Sequence, residues 1–226
     1  MPATATLILE TSTPHASLAM VAPDGSWAER EFTSDRSHQA CVFGPLADLL
    51  ASCAVDSIGR VLVGSGPGSY SGTRVGIAAA QGVAIVSECR ALALPSILAV
   101  PAADGGAACL AIGDARRGSF WTARIAAHQM VEEPALTDTA GLIAAVASAA
   151  DQGMAVVSFE EPARFHLPVE LAAAVRLEFP SAARLWRAWC LAAEEMRAAW
   201  TLAAPQPIYL KPPHITPARR PWLVSS

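Results

Sequence analysis

Arg60-Val61-Leu62-Val63-Gly64-Ser65-Gly66-Pro67-Gly68-Ser69-Tyr70-Ser71-Gly72-Thr73-Arg74-Val75-Gly76-Ile77 is the segment on which the architecture turns. Arg60–Val63 predicts a short buried strand, Gly64–Gly72 a glycine-rich turn, and Thr73 to about Glu88 a helix. Val75, Ala79, Gly82 and Val86 share one stripe of that helix, and small residues there let a second helix approach closely. The turn lies where phosphates often bind, between a strand and a helix N-terminus. It fits no standard phosphate template. A P-loop needs Lys after its last glycine, whereas Thr73 and Arg74 follow Gly72. The dinucleotide spacing fails between Gly68 and Gly72, and no G-x-S-x-G falls on Ser65, Ser69 or Ser71. Two readings stay open: a tight turn joining strand to helix, or an anion or partner contact through exposed amides and Arg74.

Toward the N-terminus, Thr6–Thr11, Ala16–Ala22 and Ser26–Thr33 read as strands, with turn chemistry at Pro23-Asp24-Gly25. Ser37 is a candidate cap for a helix to about Cys53, with Val42, Leu46, Leu49 and Cys53 on one face and Pro45 predicting a kink or late start. A similar unit begins further on. Ala108–Ile112 is an apolar strand ending at Gly113-Asp114, followed by a turn at Ala115–Gly118 and a returning strand at Ser119–Ile125. Thr139–Ala150 predicts a helix and Met154–Phe159 a strand. Ser181–Trp200 predicts one long amphipathic helix, with Leu185, Trp189, Ala193, Met196 and Trp200 on its apolar side. The expectation is a two-lobed α/β protein, with mixed sheets flanked by helices. Its lobes are expected at residues 1–104 and 105–204, ahead of a proline-rich basic tail at 205–226.

Composition narrows the function classes. Of 226 residues, 53% are hydrophobic and 16% charged, enough apolar material for a packed core. The longest uncharged apolar stretches, Ala91–Ala103 and Thr139–Ala150, fall short of the roughly 20 residues a membrane span needs. No basic, unbroken apolar leader precedes Arg30, so a cytoplasmic protein is expected. Cys41, Cys53, Cys89, Cys109 and Cys190 make no C-x-x-C pair, and His15, His38, His128, His166 and His214 have no metal-ligand spacing. Neither a metal nor any other cofactor is therefore expected. The net charge of −4 excludes a general polyanion binder. No acid follows Glu195, however, while Arg197, Lys211, Arg219 and Arg220 do. Glu10 and Asp114 both stand at strand ends facing turns, either as ordinary turn acids or as magnesium-holding acids of a phosphotransferase. All 15 glycines lie at or before Gly153, which leaves the last part of the chain no glycine turn for a nucleotide.

Leu7-Ile8-Leu9-Glu10-Thr11-Ser12-Thr13, the run Gly66–Ile77 and Ile112-Gly113-Asp114-Ala115-Arg116-Arg117-Gly118 resemble the TsaB (YeaZ) family, as do Arg36-Ser37-His38 and Pro207–Lys211. The likeness is strong over about residues 5–125 and thin from there to Pro205. The resemblance implies an actin-like fold of the sugar-kinase and heat-shock-ATPase type. It also implies a non-catalytic partner of TsaD, the paralogue that puts threonylcarbamoyl on the adenosine next to the anticodon in tRNAs reading ANN codons. TsaC makes the donor, and the ATPase TsaE joins through the complex. tRNA is implied to be met only through the complex, with a homodimer when the chain is alone. The helices near Ser37–Cys53 and Thr73–Glu88 would carry the pairing surface, with Val42, Leu46, Val75, Ala79 and Gly82 as partner-binding residues. Glu10, Ser12, His38, Ser69, Tyr70, Arg74 and Asp114 would form a loop region near nucleotide or tRNA. Family members usually have Asp at the Glu10 position, and ATPases of the fold have Gly at the Ser12 position. No catalytic residue is assigned. The alternatives are a small-molecule kinase, or a glycoprotease-like hydrolase, of the same fold.

Overall fold

The computed structural model describes residues 4–33, 38–51 and 54–210, without the side chains of 38–40. Three strands open the chain, β1 (Ala5–Glu10), β2 (His15–Val21) and β3 (Trp27–Thr33), followed by helix α1 (His38–Ala51). β4 (Ile58–Gly64), α2 (Tyr70–Val86) and β5 (Arg90–Leu94) complete the first unit. The second unit comprises β6 (Cys109–Asp114), β7 (Phe120–Ala126), β8 (Gln129–Thr137), α3 (Thr139–Asp151), β9 (Ala155–Ser158), α4 (Val169–Ala172) and β10 (Val175–Leu177). Helices α5 (Ala182–Leu191) and α6 (Glu194–Leu202) follow.

The two five-stranded sheets have the same order, β3-β2-β1-β4-β5 and β8-β7-β6-β9-β10. In each, the first three strands are an antiparallel meander and the last two run parallel to the first. Two-residue alternation sorts the side chains into separate cores. Leu7 and Leu9 of β1, with Val61 and Val63 of β4, face α1 and α2; Ile8 and Leu62 face the opposite way. In the second sheet Leu110 and Ile112 face α3, while Cys109 and Ala111 join Ile8 and Leu62 in a shared central core.

That central core is where the structure departs most from expectation. The single helix expected over Ser181–Trp200 is broken, since Ala192 and Ala193 are extended between α5 and α6. The break brings Trp189 and Trp200 together, ring centroids 6.2 Å apart, in the same core. No proline or glycine marks it, because burial of two tryptophans, rather than local backbone preference, sets the turn. Nor does residue 204 close the second lobe in space. α5 packs on β1, β2 and β4 and α6 on β5, so the last helices cover the first sheet. Helix α1 continues across Pro45 to Ala51. The expected cap Ser37, the expected terminus Cys53 and the tail beyond Leu210 lie outside the described residues. β5, β8 and β10 carry no strong sequence signal, β8 and β10 being largely exposed edge strands.

Candidate functional site

Glu10 ends β1 with no exposed surface, and its Oε1 accepts a hydrogen bond of 2.7 Å from the Ser12 amide. Its other oxygen lies over Gly64, where a Cβ would collide with it and with Ser96 Oγ. Burial pushes the Glu10 carboxyl above its ordinary range, and hydrogen bonding from Ser12 and Ser96 only partly offsets this. Oε2 and Ser12 Oγ are buried without a well-formed hydrogen bond.

The glycine loop closes over this turn. Ser69 N donates to Ser12 O at 2.6 Å, and Thr11 Oγ1 donates to Gly72 O at 2.9 Å. Gly68 has the Ser12 carbonyl, and Gly76 the Thr11 hydroxyl, where a Cβ would stand. Ser96 ties the loop from the other side, its Oγ accepting from Gly66 N at 3.0 Å and its amide donating to Gly66 O at 2.8 Å. Thr11, Ser12 and Thr13 are consequently at most 1% exposed. Gly64–Gly72 is thus a tight turn joining β4 to α2, and the β1–β2 turn faces the protein's own loop. The roles of Ser96 and Gly76 had no sequence signal, because contacts that distant in the chain leave no local periodicity.

Asp114 does not meet Glu10 in any hydrogen bond or ion pair. Its carboxylate accepts from the Arg116 amide at 2.6 Å and pairs with Arg116 Nη1 at 3.2 Å and Arg164 Nη1 at 3.5 Å. Its amide donates to Glu160 Oε2 at 2.7 Å, and burial raises the Glu160 carboxyl, aided by the Asp114 charge. Ser69 caps α2, accepting from Gly72 N at 3.2 Å. Tyr70 and Arg74 lie one turn apart on α2, exposed, with the guanidinium 4.1 Å from the Tyr70 ring centroid. His38 opens α1; its side chain is outside the described residues. Among the described residues no three His, Cys, Asp or Glu side chains converge as metal ligands, so the residues present do not fit a metal centre.

The second surface is apolar. Between α1 and α2 runs a groove of about 550 Å³ lined by Phe43, Leu46, Val75, Ala78, Ala79, Gly82 and Val83. Phe43 is 57% exposed, and Ile85 and Val86 extend the patch at the end of α2 with 77% and 67% of their surfaces in water. Of the residues expected to bind a partner, Val75, Leu46, Ala79 and Gly82 line this groove, although Leu46 and Ala79 are themselves mostly buried. Val42 is corrected. It is fully buried in the core beneath α1, one residue before the exposed Phe43, which lines the groove in its place. A separate polar cavity of about 390 Å³ lies beside β2 and β3, where His15 stacks on Phe179 at 4.0 Å.

The repeated strand order, with both sheets opening onto a shared core, defines a two-lobed α/β protein of the actin-like class. Residues 33–209 match the family model described as TsaD: tRNA N6-adenosine threonylcarbamoyltransferase. The chain belongs to that family, whose model takes in well over half of it. The fold is shared with YeaZ from Pseudomonas aeruginosa, at a TM-score of 0.64 and 19% identity over 92% of this chain and 100% of that one. A second structure, of an uncharacterized protein with similarity to peptidase YEAZ from Pseudomonas aeruginosa, superposes with a TM-score of 0.66 at 20% identity over the same shares. No curated protein sequence matches the chain closely enough to count as a relative. Among the described residues no helix is long and apolar enough to cross a membrane.

Proposed function

We propose that this chain is a non-catalytic, TsaB-like subunit of the tRNA threonylcarbamoyl-transfer system, presenting α1 and α2 to a TsaD paralogue. The observation that carries the reading is the α1–α2 groove, because a patch holding Phe43, Ile85 and Val86 in water is either covered by a partner or prone to aggregate. Gly82 and Ala78 let a partner helix approach the groove floor closely. With TsaD absent, a second copy covers the same face, and TsaE and tRNA join through the heterodimer. The closed β1–β2 turn supports the reading over a small-molecule kinase, since its residues are buried against Gly64–Gly72, the Ser12 carbonyl accepting from Ser69 N and the Thr11 hydroxyl donating to Gly72 O, while the Ser12 amide is held by Glu10.

The test places a charge in the groove. A Cβ on Gly82 meets nothing within 4 Å, so Gly82→Glu leaves the monomer fold intact while burying a carboxylate in any complex. Light scattering of the chain alone and with TsaD is expected to show wild type pairing and the variant monomeric, with reconstituted tRNA modification lost. A variant that pairs and supports modification like wild type overturns the reading. So does micromolar binding of ATP with magnesium to the isolated chain, which would return the kinase alternative.

A further inference from the structure

We infer that Tyr70, Arg74 and Tyr209 form a stacking platform for unpaired RNA bases, so that this chain touches the tRNA directly. The inference deepens the proposed role and rests on it for the presence of RNA. Arg74 lies against two rings at once, 4.1 Å from the Tyr70 centroid and 5.6 Å from that of Tyr209. Its Nη2 and Nε donate to the Tyr209 hydroxyl at 2.8 and 3.2 Å, fixing both the guanidinium and the second ring. The segment bearing Tyr209 is itself held down, Ile208 N donating to Ser65 O at 2.9 Å. Yet Tyr70 is 60% and Tyr209 50% exposed, an unusual price in apolar surface for rings that fill no core.

A rigid pair of open rings with a cation between them offers what unstacked bases need, π-faces and a positive charge close to the backbone. Helix α2 contains no Asp or Glu, and the chain has none after Glu195, although 20 acids are spread over the rest. The sequence continuing from Leu210 adds Lys211, Arg219 and Arg220. A negative net charge of −4 for the whole chain thus coexists with two stretches of sequence that hold Arg or Lys and no acid, α2 and the residues after Glu195. An acidic protein segment would be drawn by the charge but would leave the two rings unused, and the test keeps it as an outcome.

The experiment measures fluorescence anisotropy of a labelled single-stranded oligoribonucleotide, and of a blunt RNA duplex of equal length, on the full chain alone and paired with TsaD. Tyr70→Ala is the primary variant, since its ring stands on the helix surface. Stacking one base is worth enough that its loss is expected to weaken single-strand binding about tenfold with duplex binding little changed. Tyr70→Phe is expected to bind as wild type, a rescue that a role in charge alone does not give. Replacing Lys211, Arg219 and Arg220 by Gln is expected to weaken both probes alike and flatten the salt dependence. Equal binding of the single strand by wild type and Tyr70→Ala overturns the inference. Absence of RNA binding in a chain that pairs normally with TsaD overturns it without touching the proposed function. Loss of TsaD pairing in Tyr70→Ala with RNA binding unchanged also overturns it, making the cluster a protein contact.

Discussion

The Glu10 carboxyl sits wholly inside the protein with one oxygen bonded to the Ser12 amide and the other lacking a well-formed partner, so the charged form is the costly one. Its pKa is raised, and the sign of the pH effect follows. Below the ordinary carboxyl value of 4.5 both folded and unfolded chains hold the proton; as pH rises, the unfolded chain releases its proton first, and stability falls until the folded carboxyl ionises too. Glu10→Gln keeps an oxygen for the Ser12 amide and removes the titration. Urea unfolding at pH 4.5 and 7.5 is expected to show the variant gaining on wild type at the higher pH, and an unchanged difference would refute the assignment. Beside it, Gly64→Ala drives a methyl into the same carboxyl and Ser96, and is expected to cost about 2–3 kcal/mol in the same measurement. Glu10 was visible in sequence as an acid at a strand end. Gly64 and Ser96 as its lid were not, because the loop lies 54 residues from Glu10, a separation that no local pattern encodes.

At the level of elements, α2 was legible almost to its ends, since small residues at three- and four-residue spacing fix both its period and its neighbour. Its start was missed by three residues, because Ser69 rather than a residue nearer Thr73 supplies the cap. The inward and outward faces of α1 were harder. Val42 and Phe43 are adjacent and both apolar, and only the packing of α1 against β2, β3 and α2 makes the first core and leaves the second in water. The same ambiguity touches Ala79, which is 8% exposed, so a charge there would test the core and not the surface. Gly82 carries the cleaner probe. With open space around its Cα in the single chain, Gly82→Ala is expected to stabilise the monomer, held at dilutions too low for pairing, by about 1 kcal/mol through helix propensity alone. Thermal unfolding should then rise by about 2–4 °C in a chain of this size. A fall would mean that the glycine already has a packing partner.

Taken whole, the molecule is two copies of one sheet pattern sharing a single middle. Ile8 and Leu62 of the first sheet, Ala111 and Val157 of the second, and Leu185 and Trp189 of α5 belong to one core. Ala182 N donates to Ser17 Oγ at 2.7 Å, and Arg184 bridges to Asp104 at 3.0 Å, binding α5 at its start. The repeat of strand, acid and turn at Glu10 and Asp114 made the two lobes readable in sequence. The return of α5 was not readable, since an amphipathic helix records that it has a buried face and not which sheet buries it. The lobes are therefore expected to unfold together, and Trp189→Ala to cost about 3–5 kcal/mol while leaving one transition. Near-ultraviolet circular dichroism and amide exchange followed in parallel would check this; two separated transitions would show independent lobes. The late position of α5 also bears on synthesis. The first sheet leaves the ribosome with Ile8, Leu62 and Leu92 facing water, and their cover emerges about a hundred residues after Leu94. At about 5–20 residues per second, the nascent chain carries that bare face for roughly 5–20 s, long enough for a chaperone to be its first binding partner.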